Sequence, residues 1–404
     1  MKVVQINAVY KSSSTGRLTE ELHLYMKSHG LDSYVFCTNL KDTTKNIYKI
    51  GSKLDYRFHS LLSRVFGKQA YFSRGATKII LEKLSIIKPD VVILGNLHGN
   101  YINLPMLLNY LSINKIATII ILHDCWFFTG HCCYYTEDQC EKWKTKCVKC
   151  PILHKYNRSL FFDNSSFIFE DKQQLFNKIG NLTVIGVSDW IKNEAKQSPI
   201  LENATSFRRV YNWLNLEVFK PLKNNSLRDK LQIDKKRFVI LGVSQLWSEY
   251  KGLYRFIQLA HDQADSLIVL VGNIPKNITL PSNIMSVGPT SNIHELAQYY
   301  NMADVFVNFS IQETFGLVSA EAIACGTPLI TNTVTANPEI CGEGCGYIVN
   351  LEEWQKVIAS IEEVKRNTKS FYTKDCRKFA LANFNKNVCL HEYLKIIHDV
   401  AIKK

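Results

Sequence analysis

Short runs of consecutive apolar residues alternate along this chain with longer stretches in which apolar positions recur every three or four residues. KVVQINAVY at the amino terminus reads as a strand. It is followed by GRLTEELHLYMKSHG, where Leu18, Leu22, Tyr25 and Met26 stand at i, i+4, i+7 and i+8 and Gly30 suits a helix stop. The cycle repeats through the strand SYVFCT, the helical RGATKIILEKLSIIK, the strand DVVIL, a helix over 103–114 and the strand IATIIIL, which ends at His123. A second series opens with RFVILGV at 237–243. It continues through SLIVLVG, the helical NIHELAQYYNMA, the strand DVFVNF, a helix after Glu313 and the strand GTPLIT. Such alternation predicts α/β architecture, with parallel sheets covered by helices on both faces.

Between the two series, RRVYNWLNLEVFKPLKNN breaks the pattern at Pro221 and a polar run. The expected organisation is a first Rossmann-like domain over 1–205 with a cysteine-rich insertion at 125–151, an interdomain segment at 206–222, and a second Rossmann-like domain over 223–380. A helix at 381–404 is expected to pack back on the first domain. At 404 residues the chain suits two domains of about 150 to 200 residues each. Two facing doubly wound domains would bind ligands in the cleft at the carboxyl ends of their strands.

The composition, 46% hydrophobic and 21% charged, is that of a globular protein. The apolar runs are far shorter than the roughly 20 residues of a membrane span. MKVVQINAVY enters a strand pattern without the features of a signal peptide, so the expected location is the cytoplasm. A net charge of +13 favours polyanionic partners such as nucleotide phosphates or the anionic inner face of a membrane. The basic residues are scattered and carry no nucleic-acid signature, so nucleic acid is not expected as a partner. Of twelve cysteines, five fall between Cys132 and Cys150. Cys132, Cys140, Cys147 and Cys150 are spaced C-x7-C-x6-C-x2-C, a thiolate set suited to structural zinc, and Cys133 is an alternative to Cys132.

Candidate chemistry gathers at the ends of the predicted strands. Glu313 falls in a strand-to-helix loop and Glu321 in the helix after it. The backbone N–H groups around Phe315, Gly316, Leu317 and Val318 would face the cleft and suit a diphosphate, while carboxylates suit sugar hydroxyls. Lys251 precedes Gly252 in a strand-to-helix loop. His123 and Asp124 end a strand, and Gly16 and Arg17 lie in SSSTGR, between the first strand and the first helix, where a capped helix start is the equally economical reading.

The run ETFGLVSAEAIACGTPLI, with its Glu-x7-Glu spacing, resembles the retaining glycosyltransferases of family four, which have the GT-B fold of two facing Rossmann-like domains. The resemblance implies a nucleotide-sugar donor, UDP- or GDP-linked, with Glu313 on the donor sugar and Glu321 on the ribose. It places Lys251 on the diphosphate, Gly16 N–H and Arg17 toward donor phosphates or acceptor, and His123, with Asp124, near the anomeric centre. It implies transfer to a glycan or lipid-linked acceptor by front-face attack without a catalytic metal. HDCWFFTGHC with the cysteines that follow is similar to a bacterial exopolysaccharide and colanic-acid subgroup, whose cysteine insertion would be a zinc knuckle beside His123. Two departures stand out. Residues 242–250 lack the arginine that the family pairs with the lysine, leaving Gln245 and Tyr250 at plausible donor-binding positions, and TVTANPE carries Thr335 and Ala336 where the family has Gly-Gly. These departures keep open a catalytically inactive, nucleotide-sugar-binding scaffold, beside a GT-B epimerase or soluble sugar synthase.

Overall fold

The computed structural model describes residues 1–41, 44–223 and 226–402. Contacts divide the chain into two compact units, one of Met1–Val210 with the chain from Leu390 onward, the other of Tyr211–Cys389.

The first unit is built on a seven-stranded parallel sheet of β1 (Lys2–Ile6), β2 (Asp32–Cys37), β3 (Ile47–Lys49), β4 (Val91–Leu94), β5 (Ala117–Leu122), β6 (Leu182–Gly186) and β7 (Ser206–Arg209). Their order is β3-β2-β1-β4-β5-β6-β7. The helices of this unit are α1 (Ser13–Ser28), α2 (Lys53–Phe66), α3 (Arg74–Ile87), α4 (Leu104–Ile113), α5 (Ser165–Phe176) and α6 (Asp189–Lys196). Strands β4, β5 and β6 are buried at every residue, which is why they read as unbroken apolar runs rather than alternating ones.

The second unit has a six-stranded parallel sheet: β8 (Val239–Leu246), β9 (Leu267–Asn273), β10 (Ile284–Val287), β11 (Val305–Asn308), β12 (Leu329–Asn332) and β13 (Gly346–Val349), ordered β10-β9-β8-β11-β12-β13. Around it lie α7 (Leu227–Lys230), α8 (Leu253–Asp262), α9 (Ile293–Met302), α10 (Leu317–Ala324), α11 (Asn337–Ile340) and α12 (Trp354–Asn383). The last helix, α13 (Lys386–Ile402), begins in the second unit and ends in the first, where the Asn181 amide donates to Val400 O at 2.9 Å. No helix among the described residues is long and apolar enough to cross a membrane.

The structure adds elements that the sequence reading did not give, β3, α5, β6, α6 and β10 among them, and departs from it elsewhere. Ser206–Arg209, expected to open the interdomain segment, is strand β7, pairing with β6. The rest of that segment belongs to the second unit, where Leu214 N donates to Phe384 O and the Arg377 guanidinium to Leu216 O and Phe219 O. Helix α2, which the alternation did not reveal, has most of its large apolar residues exposed, so no buried stripe marks it as a core helix.

The strand order fixes where ligands would bind. In the first sheet the winding reverses between β1 and β4, and in the second between β8 and β11. At such a switch point the loops leaving adjacent strands diverge to opposite faces and open a crevice at the carboxyl ends.

Candidate active site

At the second switch point, the loop after β8 and the loop after β11 meet. Gly252 is the pivot. Its φ of +79° is in the left-handed region, and a Cβ there would lie 2.4 Å from Phe309 Cβ, so only glycine lets the two loops touch. The contact brings together residues 62 positions apart: Lys251 Nζ lies 2.6 Å from Glu313 Oε1 and 3.3 Å from Ser310 Oγ. A buried amide network stiffens the β11 loop from below. Asn308 Nδ2 donates to Ser319 Oγ and Asn337 Oδ1, while Asn332 and Asn337 both donate to Ser310 O. Sequence reasoning missed these asparagines. The signal was their position at the ends of apolar strands, where a polar side chain must find buried partners.

Gly316, at φ +90°, turns the chain into α10. Its carbonyl accepts from Ser319 N and Ala320 N, which leaves the amides of Gly316, Leu317 and Val318 outside the helix ladder. Three free N–H groups at the positive end of a helix, next to a lysine, form an anion-binding arrangement. Phe315, expected to contribute its backbone N–H, turns its side chain elsewhere. Its ring is 2% exposed and packs on Tyr211 and Phe384, so it serves the core and offers a ligand only backbone. Glu321 is deeper than expected, 7% exposed, with Oε2 accepting from the Tyr300 hydroxyl at 3.0 Å. Gln245 is exposed near the end of β8, and its backbone carbonyl accepts from Asn273 Nδ2. The Tyr250 ring lies 5.9 Å from Lys251 Nζ.

The position of the expected Gly-Gly has a physical account. Thr335 adopts φ +58°, a conformation glycine takes without cost, and its hydroxyl donates to Val334 O and accepts from Glu313 N. Ala336 N donates to Glu313 O. This segment therefore holds the Glu313 backbone, while Lys251 holds its side chain.

At the first switch point, β1, β4 and β5 end side by side. Gly95 lies so close to Asn7 that a Cβ would meet its Oδ1 at 2.7 Å, and Asn7 Oδ1 accepts from Asn96 N. The loop after β4 thereby delivers His98, a residue the sequence reading did not single out, to Asp124 at the end of β5. Asp124 accepts from His98 Nε2 at 2.7 Å, from Asn96 Nδ2 at 3.3 Å and from Trp126 N at 2.9 Å. Burial opposes charge on both partners, yet Cys133 and Asp124 hold the His98 imidazole well above its usual pKa, and His98 with the Trp126 amide holds Asp124 below the usual carboxylate range. His123 next door is the reverse case: burial lowers it to about 4 against the pull of Asp124, so it is neutral at neutral pH.

Gly16 lies in the first turn of helix α1, which begins at Ser13. Its glycine identity answers to packing, because a Cβ would lie 3.2 Å from Tyr10 C and 3.3 Å from Lys11 N. The capped-start alternative fails, since Ser12 makes no side-chain cap bond. Arg17 is half-buried on α1.

Cys132 is buried, while Cys140, Cys147 and Cys150 are half-buried, all as free thiols. Burial, followed by neighbouring thiols, raises Cys132 well above its usual pKa, Cys147 to about 12 and Cys150 to about 11. Each of these thiols is thus felt by others of the set. Among the described residues, however, the metal-suited group with donor atoms within 4.8 Å of one another is His98, Asp124 and Cys133. Cys133, read as an alternative to Cys132, stands instead against the imidazole. Beneath this region Lys172 is fully buried, donating to Trp126 O and Thr129 O with its ammonium 3.4 Å over the Trp126 ring, and burial lowers it to about 7.

Comparison with known proteins follows the same division. Residues 223–381 match the family model of the glycosyl transferases group 1. An uncharacterized 41.2 kDa protein in the cps region of Klebsiella pneumoniae is 24% identical over 98% of this chain and 99% of its own length. The putative colanic acid biosynthesis glycosyl transferase WcaC of Escherichia coli (strain K12) is 24% identical over 66% of this chain and 65% of its own length. Among solved structures, Anabaena Alr3699/HepE in complex with UDP and glucose superposes with a TM-score of 0.66 at 14% identity, covering 99% of this chain and 100% of that one.

Proposed function

We propose that this chain, which belongs through residues 223–381 with the group 1 glycosyl transferases and has the GT-B fold, transfers a sugar from a UDP- or GDP-linked donor to a glycan or lipid-linked acceptor in surface polysaccharide synthesis. One observation carries the reading: at the second switch point, Lys251 and Glu313 stand 2.6 Å apart in the loops that precede α8 and α10, and α10 begins with three unpaired amides. That arrangement suits a sugar diphosphate, with amides and ammonium for its anionic oxygens and a carboxylate for its hydroxyls.

In the proposed reaction, the bond between the anomeric carbon and the diphosphate oxygen breaks as the acceptor hydroxyl attacks from the same face, which retains configuration. The acceptor proton passes to the departing diphosphate oxygen. Lys251 and the amides of Gly316, Leu317 and Val318 stabilise the charge that develops there. In the first unit, His123, neutral at neutral pH, is suited to offer a hydrogen bond rather than a proton, and Asp124, engaged by three donors, orients the groups around it. The cations in this scheme are protein groups. Glu321 accepts a ribose hydroxyl only through carboxylate capacity not taken by Tyr300.

The decisive experiment screens UDP- and GDP-sugars by thermal shift and then assays transfer. A ligand at 100 times its dissociation constant adds about 2.7 kcal/mol to the folded state, and Glu313→Gln should abolish transfer. A chain that binds nucleotide sugar but transfers nothing is the scaffold, the reading favoured by the absence of arginine from residues 242–250. Structural zinc on Cys132, Cys140, Cys147 and Cys150 belongs to the same proposal, supported by thiols close enough to perturb one another. Elemental analysis of the purified chain should find close to one zinc per chain, and its absence would remove the knuckle. The basic charge fits peripheral attachment to an anionic membrane, weakened by salt.

A further inference from the structure

Helix α12 is broken within its length. Thr368 adopts φ +64° and ψ 157°, outside helical geometry and costly for a β-branched residue, so Trp354–Asn383 is two helical segments joined at this point. The second segment places Lys369, Thr373 and Arg377 at i, i+4 and i+8, on one half-buried face where a core helix would carry apolar side chains. Each of the three donates to the end of another helix. Lys369 Nζ reaches Tyr300 O, Asn301 O and Ala303 O at 3.1, 2.9 and 2.9 Å, at the carboxyl end of α9. Thr373 Oγ1 reaches Gly326 O at 3.0 Å, and the Arg377 guanidinium reaches Ala324 O at 3.1 Å, at the carboxyl end of α10. Helix carboxyl ends leave carbonyls unpaired and carry partial negative charge, so cations and hydroxyls there fix both helices in place. Burial lowers the Lys369 ammonium to about 8, which leaves it charged at neutral pH.

Helices α9 and α10 each carry one member of a buried pair. Tyr300, on α9, is fully buried, its ring edge-on to Phe219 and Phe306 with centroids 6.1 and 5.5 Å away, and its carbonyl also accepts from Thr327 Oγ1 at 2.6 Å. Ring and backbone are both held, and the hydroxyl donates to Glu321 Oε2 at 3.0 Å. A carboxylate pinned at one oxygen cannot turn to suit whichever ligand arrives. It presents its remaining lone pairs in a fixed direction, and a ligand that lacks a hydroxyl there leaves a desolvated carboxylate short of a donor. Sites built around a substrate hydroxyl reject analogues without it far more strongly than apolar pockets reject a change of shape.

We propose that Tyr300 is a specificity-determining residue: held by Lys369 and holding Glu321, it makes the second unit select ribonucleotides, and so excludes sugars carried on deoxynucleoside diphosphates as donors. The inference rests on the sugar-transfer reading, in which Glu321 meets the ribose of the donor. Calorimetry on the full chain tests it, with UDP, GDP, the 2′-deoxy form of each, and inorganic pyrophosphate as ligands. The wild type should bind whichever of UDP and GDP it prefers at least about tenfold more tightly than the matching deoxy form. Tyr300→Phe keeps the packed ring and removes only the hydroxyl. It should reduce that preference to about twofold, with pyrophosphate affinity changed by about twofold or less. A merely structural Tyr300 would weaken every ligand alike and leave the preference intact. Lys369→Met, or Lys369→Gln should the methionine variant not fold, should lower the preference as well, and full preference in that variant would remove the lysine from the scheme. A wild type indifferent to the 2′-hydroxyl, or a Tyr300→Phe variant with the wild-type preference, would overturn the proposal. A wild type that binds neither UDP nor GDP would instead strike at the sugar-transfer reading.

Discussion

The chain holds two close carboxylate–cation pairs at strand ends, one in each unit, and they are built for different work. Asp124 has both oxygens engaged, by His98, Asn96 and the Trp126 amide. Glu313 has Oε1 on Lys251, while Oε2 makes no hydrogen bond among the described residues. A saturated carboxylate can orient its neighbours but has little left for a ligand. A half-satisfied one beside a cation and three free amides is poised to exchange a protein partner for a substrate. The difference separates positioning from contact with the reacting sugar, although both distances are nearly the same.

Breaking each pair should therefore give opposite signatures. His98→Ala strands a buried carboxylate, and denaturant unfolding should show a loss of about 3 kcal/mol or more. Lys251→Ala, at a more open pair, should cost about 1 kcal/mol or less in the same measurement yet lower turnover by a factor on the order of a hundred. If Lys251→Ala unfolds the chain and His98→Ala leaves stability intact, the contrast is wrong. A broader effect should come from acid. His23, His59, His123 and His131 are each lowered by burial from 6.5 to about 4, so between those values the unfolded chain binds protons that the folded chain refuses. Stability should be fully present above pH 6.5 and fall as pH falls toward 4, with urea midpoints tracking the decline.

Much of this was legible from the chain itself. The alternation of apolar runs with helical periodicity marked the central strands of both sheets, because strands buried on both faces must be continuous in apolar residues. Lys251 and Glu313 were legible because glycine and small residues cluster around them for conformational reasons, Gly252 and Gly316 at positive φ. His98 was not. A histidine between polar neighbours carries no local mark of its partner, and Asp124, 26 residues away, becomes one only through the pairing of β4 with β5. Glu321 was read as an open ligand group because motif spacing says nothing of depth, and its depth was decided by Tyr300 packing from another element. Helix α2 escaped notice because most of its large apolar residues are exposed, so its pattern carries no buried stripe.

By itself the sequence determined the α/β class, the two-part division and the identity of the groups at the strand ends, since periodicity, chain breaks and backbone freedom are local properties. Only the tertiary structure decided which of those groups meet, which are saturated and which face is left uncovered. Those outcomes depend on strand order and on burial, where a hydrogen bond to one carboxylate oxygen from a distant residue changes what that carboxylate is free to do.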